Sequence, residues 1–320
     1  MAHDFAHLVA DESWVGAVSD WVQEQAVRRS IVLTGPMQTN RVRPWSAHLT
    51  ANSSEGTVWF KANCPAMAYE PSLQAELAHV APASVQVPLG IDPERGWMLT
   101  LDHGHLLDDR EPHDLNLWLD LLLELIEIQQ RCMPHRERLL ATGLPDYAPD
   151  SVLDRFDRLV VLLSGLPEAH PSKLSESDRF QLSEARHSVA EAADLLLDGP
   201  LGSSWQHGDA HLSNVYRVQG KVRVFDFGDS QWAHVLESLV VPFSIVSEEH
   251  PGWWRQMKEF CASQWGVSLG EFNELWTAAR RTQAINRAST WHAVSEDIPV
   301  EAWAEWAPYA REHLMRSAHV

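Results

Sequence analysis

The chain's patterning predicts an α+β fold in two lobes, a small β-rich one followed by a larger helical one. Two observations set the architecture. Apolar residues fall in short strand-like runs through the first hundred positions, and beyond Gly104 they recur at helical spacing. A third sets the lobe count, since 320 residues exceed what one hydrophobic core normally fills. The lobes divide at 1–102, with an antiparallel sheet and one helix, and 103–320, which is helical.

The elements follow in order. Residues 14–29 put Trp14, Val18, Trp21 and Val22 on one helical side. Strand-like runs come next at 31–34, 46–51 and 57–62, the last two joined by a hairpin turn over 52–56. A helix is predicted over 70–79, with Pro71 in its first turn, where a missing N–H is harmless. Segments 85–88 and 97–101 read as two more strands around a turn at 92–96. Residues 115–133 are apolar nearly all round, which predicts a buried helix. Amphipathic helices follow over 151–163 and 175–197, then a strand pair at 215–218 and 222–225 turning at Gln219-Gly220. From Leu236 onward the pattern is helical, broken by Pro251-Gly252.

Composition narrows the function classes. A net charge of −19 argues against a nucleic-acid groove, because phosphate backbones select basic surfaces. Residues 1–100 carry a net −4 and the rest −15. The acidic second half either steers a cationic substrate or simply keeps the surface soluble. No run approaches the roughly 20 apolar residues of a membrane span. The first residues lack the basic segment of a secretory signal, so a cytoplasmic location is expected. Cys64, Cys132 and Cys261 are far apart and form no CxxC pair, which predicts free thiols.

The chemistry-bearing stretch runs Gln206-His207-Gly208-Asp209-Ala210-His211-Leu212-Ser213-Asn214, then Val224-Phe225-Asp226-Phe227-Gly228-Asp229. Four residues separate Asp209 from Asn214, and Asp226 opens a DFG tripeptide after a small hairpin. This is the D-x4-N…DFG layout of phosphoryl transfer, whose loose transition state chiefly needs alignment and charge neutralisation. Asp209 is the candidate base facing an acceptor hydroxyl. Asn214 and Asp226 are the candidate magnesium ligands, oxygen donors suited to a hard cation.

HGDxHxxN with a downstream DFGD resembles the aminoglycoside phosphotransferase and choline kinase group, relatives of protein kinases. The likeness extends over about residues 30–245 and implies a bilobal protein-kinase-like fold with a nucleotide-binding N-lobe. Val58-Trp59-Phe60-Lys61-Ala62 is similar to the small-lobe strand whose lysine holds phosphates, and Glu76 matches the acid that pairs with it. Residues 97–102 followed by Gly104 look like the hinge that meets the base, so Thr100 and Leu101 are carried over as nucleotide contacts. The resemblance implies Mg2+, with ATP or GTP as donor. It also implies a small hydroxylated acceptor, an aminoglycoside, amino sugar or amino alcohol among the candidates, and His207 as a brace for the loop.

The sequence departs from the pattern in two places. No GxGxxG loop exists; its counterpart is expected within 38–46, where Asn40, Arg43 and Ser46 are candidate phosphate contacts. No APE-like segment follows the DFG, which disfavours a protein kinase. Asp229 either caps a following helix or assists the metal and substrate. Two rivals stand beside phosphotransfer: a nucleotide-binding pseudokinase, and a metallohydrolase built on His207, Asp209 and His211. Seven of fifteen tryptophans fall in 253–306. Most are expected to fill helix contacts, with one or two lining an acceptor pocket beside acids such as Glu271 or Glu274.

Overall fold

The computed structural model describes residues 4–107, 114–296, 298–302 and 304–320. Trp303, one of the seven clustered tryptophans, lies outside them. The small lobe opens with two helices, α1 (Phe5–Leu8) and α2 (Glu12–Arg28), each begun by an aspartate, Asp4 and Asp11, accepting from first-turn N–H groups. An antiparallel five-stranded sheet follows, ordered β1-β2-β3-β5-β4. Its strands are β1 (Gln38–Arg43), β2 (Ser46–Ser53), β3 (Gly56–Asn63), β4 (Gly90–Asp92) and β5 (Trp97–Leu101). The helix α3 (Glu70–Val80) lies between β3 and β4 in sequence.

Strand alternation sets the two faces of this sheet. Val58, Phe60 and Ala62 of β3 are fully buried with Leu49 and Leu99, under the indoles of Trp21 and Trp97. The opposite face carries Trp59, Lys61 and Thr100 toward a cleft. The larger lobe has α4 (Leu115–Cys132), α5 (Arg136–Leu140), α6 (Val152–Gly165), α7 (Glu176–Asp198), α8 (Val240–Glu249), α9 (Trp254–Trp265), α10 (Leu269–Glu296) and α11 (Tyr309–Arg316). Two short hairpin-like pairs sit among them: β6 (Ser203–Gln206) with β9 (Gln231–His234), and β7 (Val215–Val218) with β8 (Lys221–Val224).

The hydrophobic cores do not follow the 102/103 division. Leu73 and Leu77 of α3 share a core with α4, Trp205 and Phe227, so this small-lobe helix packs on the large lobe. The sheet's inner face shares a second core with Phe156, Leu159, Ile285 and Leu314. Among the described residues, no helix is long and apolar enough to cross a membrane.

Two local expectations fail. Residues 31–34 make one bridge, Leu33 to Ser53, and no strand. Segment 85–88 is irregular, and the strand forms at β4 instead, because β5 selects its partner by ladder register. The turn expected within 38–46 falls at Pro44-Trp45, where the strand β1 ends. The strands β6 and β9 have no alternating pattern, since three of four β6 residues and all four of β9 are buried.

A polar hub ties the long helix α10 to β6. Glu237 is buried and accepts from Thr282 Oγ1 at 2.6 Å, Asn286 Nδ2 at 2.8 Å and Gln206 Nε2 at 3.1 Å. Burial outweighs these donors and pushes its carboxyl from 4.5 up to about 7. The folded chain therefore holds this proton more tightly than the unfolded chain. Stability from it is full below pH 4.5 and is lost as pH rises through about 7. The urea midpoint, followed by tryptophan fluorescence, is expected to fall between pH 5 and pH 8, and Glu237→Gln should flatten that fall.

Candidate active site

Lys61 is the hub of the cleft. Its ammonium lies 2.6 Å from Glu70 Oε2, 2.8 Å from Glu70 Oε1 and 2.7 Å from Asp226 Oδ1. Burial works against the charge on Lys61, but the two carboxylates overcome it and hold the amine protonated well above its usual range. The same balance acts on Asp226: burial raises its carboxyl, and Lys61 then drives it far below the ordinary range. Glu70 is fully buried and held upward by burial, with Lys61 opposing. It opens α3, where a carboxylate also meets the positive end of the helix. Its Oε1 accepts a 2.9 Å bond from Phe227 N–H, joining the lysine to the DFG backbone.

The acid on Lys61 is therefore Glu70, which corrects the expectation for Glu76. Six residues along a helix is about 1.7 turns, so the two acids leave α3 on different sides. Glu76 points away and pairs with Arg138 of α5 at 2.7 Å. Sequence order alone favoured a mid-helix acid; the approach angle of α3 brings its first turn to the lysine instead.

The loop that carries Asp209 is held by its own backbone. Gly208 has φ +81°, and a Cβ there would sit 2.0 Å from the Asp229 carbonyl oxygen. Only glycine fits this turn, because side-chained residues resist positive φ and the space is occupied. His207 is fully buried, and burial lowers its pKa, keeping the ring neutral. Its Nε2 stands 3.0 Å from the Phe225 carbonyl, while Nδ1 accepts from Asp209 N–H at 3.4 Å. These bonds assign the proton to Nε2. The ring thus bridges the loop to the DFG strand as a brace.

Asp209 stands with His211 Nε2 3.5 Å from Oδ2 and Arg287 Nη2 3.8 Å from Oδ1. Burial raises its carboxyl, yet His211 and Arg287 together hold it below the ordinary value. Asn214 donates through Nδ2 to the Asp209 carbonyl at 2.9 Å and lies 3.1 Å from His211 Nε2. That leaves Asn214 Oδ1 for another partner. Asp226 has φ +64°, a left-handed conformation costing a side-chained residue roughly 1–3 kcal/mol. Behind it, a Cβ on Gly228 would press Met67 Sδ at 3.3 Å and Glu70 Oε2 at 3.4 Å.

A cavity of about 450 Å³ gathers Lys61, Thr100, Asp209, Asn214 and Asp226 in its lining, with Trp59, Arg41 and His103. Leu101 does not join them. Its side chain packs on the sheet core, and the next N–H, of Asp102, donates to Thr57 at 2.9 Å, so backbone beyond the ladder starts at His103 and Gly104. Ser46 lines a second, adjoining cavity of about 200 Å³, which also holds Asp229. Asn40 lines the first cavity, and Arg43 lies against the Trp306 ring at 5.7 Å.

Three site residues escaped sequence reasoning. Arg287 of α10 pairs with Asp229 and reaches Asp209, 9% exposed within a helix stretch buried almost all round. A lone arginine inside such a stretch was the available signal; its partners lie too far along the chain to be named. Arg41 follows a bulge at Asn40, where β1 slips register against β2, and bulges re-aim side chains beside active sites. His48 stands directly between Arg41 and Lys61 in the ladder, with burial and Lys61 pushing its pKa down to about 3.

Asp229 caps no helix, since β9 follows it and its carboxylate pairs with Arg287. His207 and His211 do not converge, and among the described residues no group of three or more His, Cys, Asp or Glu side chains is placed to hold a metal ion. The donor set of the metallohydrolase rival is therefore not assembled. Glu271 binds Ser268 at the start of α10, and Glu274 is exposed; neither lines either cavity.

No protein-family profile and no curated protein matches the chain. Solved structures do. An aminoglycoside 2'-phosphotransferase IIIa variant in its GDP complex superposes with a TM-score of 0.61 at 13% identity, covering 94% of this chain and 97% of its own. The chain has the protein-kinase-like fold. The choline kinase of Streptococcus pneumoniae gives a TM-score of 0.58 at 13% identity, with 95% and 99% covered. The macrolide 2'-phosphotransferase of Brachybacterium faecium gives 0.54 at 15%, with 94% and 97% covered. Within this kinase-like fold, the Gly208 turn makes a structural demand that can be measured apart from activity. Gly208→Ala is expected to cost at least about 2 kcal/mol, from positive φ plus overlap with Asp229, read as a lowered melting temperature.

Proposed function

We propose that the protein transfers the γ-phosphate of ATP or GTP to a hydroxyl of a small molecule. The observation that carries this reading is the shared cavity of Lys61, Asp209, Asn214 and Asp226, one held cation and three oxygen-bearing side chains. Lys61, kept protonated by its two carboxylates, would meet the nucleotide phosphates. Asn214 Oδ1 and the Asp226 carboxylate fit magnesium, which commonly takes one or two carboxylates beside phosphate oxygens. Bound there, the ion would neutralise charge on the transferring phosphoryl group. The base end of the nucleotide would lie along Thr100 and His103, toward Trp59.

Asp209 is the group for the acceptor. Held ionised by His211 and Arg287, it can take the acceptor proton as that oxygen bonds to the γ-phosphorus. The bond from phosphorus to the β–γ bridging oxygen breaks, and nucleoside diphosphate leaves. His207 acts through the loop, fixing the Asp209 backbone against Phe225.

Transfer from radiolabelled ATP and GTP to a panel of hydroxylated acceptors, with and without magnesium, tests the reading. Asp209→Asn is expected to lower kcat by about 10²–10⁴-fold while nucleotide affinity stays within a few-fold. Full activity in that variant would remove Asp209 as the base. The two helix acids give a second test. Glu70→Gln should lower kcat/KM for nucleotide at least tenfold, and Glu76→Gln less than twofold.

A further inference from the structure

The second cavity shares Arg41, His48, Lys61, Asp209 and Asp226 with the first, so anything bound there reaches the proposed base and the phosphate end together. Its outer wall is aromatic and comes from both lobes. Trp45, in the β1–β2 turn, meets Trp291 edge-on at 5.5 Å and Trp306 at 4.9 Å, with interplanar angles of 87° and 84°. Tyr309 meets Trp291 at 5.0 Å and 88°.

Perpendicular indoles of this kind suit cations, but the charges here are already matched. Arg41, Lys61 and Arg287 stand against Asp209, Asp226 and Asp229 in the lining. Asp229 pairs with Arg287, Asp226 with Lys61, and Asp209 is shared by His211 and Arg287. An incoming ammonium would lose water and find Asp229 and Asp209 engaged by Arg287 and His211, with Asp226 held by Lys61 and, in the proposed complex, by magnesium. The ring faces are also attended by protein cations, Arg287 at 5.4 Å from Trp291 and Arg43 at 5.7 Å from Trp306. A further cation would meet like charge there.

Size points the same way. About 200 Å³ is below the roughly 300–1,000 Å³ that takes a drug-sized ligand. On the footing of the phosphotransfer reading, we propose that this cavity binds a compact uncharged polyol of monosaccharide size. The aromatic wall covers its apolar face, and Asp209 takes the proton of the hydroxyl that is phosphorylated. This reverses the cationic substrate that the acidic second half suggested.

The test uses the full chain with magnesium and ATP. Initial rates are compared for neutral hexoses and pentoses, the matching amino sugars, choline, a three-ring aminoglycoside and a macrolide. At least one neutral sugar is expected to exceed its amino counterpart at least tenfold in kcat/KM. Trp306→Ala should raise the KM for that sugar at least fivefold. Thr290→Asp, which adds an unmatched carboxylate to the lining, should shift the ratio at least tenfold toward the amine. Preference for any amine in the unaltered protein, or an unmoved ratio in Thr290→Asp, overturns the assignment. Magnesium-dependent ATP hydrolysis without acceptor is read in parallel. If hydrolysis occurs but no neutral sugar is turned over, only the polyol assignment falls. If neither hydrolysis nor transfer occurs, phosphotransfer falls with it.

Discussion

Three charged side chains meet where the two lobes touch, and much of the molecule's arrangement follows from their need for one another. Lys61 comes from the middle of a sheet, Glu70 from the first turn of a helix, and Asp226 from a strained turn beyond a hairpin. Lys61 and Glu70 have side chains 12% and 0% exposed, so neither charge has water to fall back on. Removing one partner of such a buried pair typically costs about 3–5 kcal/mol, because the other charge is then stranded. The sheet, α3 and the DFG turn are accordingly locked to one another. The packing of Leu73 and Leu77 against α4 makes the same connection in apolar terms.

Arg287 repeats this logic on the other side of the cleft. It lies against Asp229 and near Asp209, and it comes from the middle of the longest helix. Three aspartates would crowd one another if left alone, each raising its neighbours' pKa. Lys61 and Arg287 divide them instead. Asp226 and Asp209 are held down, while Asp229, deeper and nearest its arginine, is pushed up by burial. Similar side chains thus acquire different chemistry from their surroundings. Asp209 keeps about a third of its side chain open, as the proposed role of base requires.

The backbone around these groups is equally constrained. Gly208 occupies a turn that leaves no room for a Cβ beside Asp229, and Asp226 adopts a left-handed conformation unusual for a side-chained residue. Both lie within the site, where strain persists because the surrounding contacts over-determine it. The buried His207 ring, joined to both stretches, is one such contact.

Much of this was legible from residue order alone. Alternation in 57–62 gave the strand and its lysine, helical spacing gave α4, α6 and α7, and the D-x4-N…DFG spacing gave Asp209, Asn214 and Asp226, because local geometry and short-range spacing are written along the chain. The partner of Lys61 was not, since Glu70 and Glu76 differ only in where the helix points, and packing sets that angle. Arg287, Arg41 and the part of Trp45 in the indole wall were also beyond reach. They are brought in by a helix far along the sequence, by a bulge in strand register, and by a turn from the opposite lobe. The sequence by itself determined the strand-rich first part, the helical remainder and the loop that carries Asp209 and Asn214; the tertiary structure alone decided which charges are matched, because pairing energy depends on distance through space, and sequence separation does not report it.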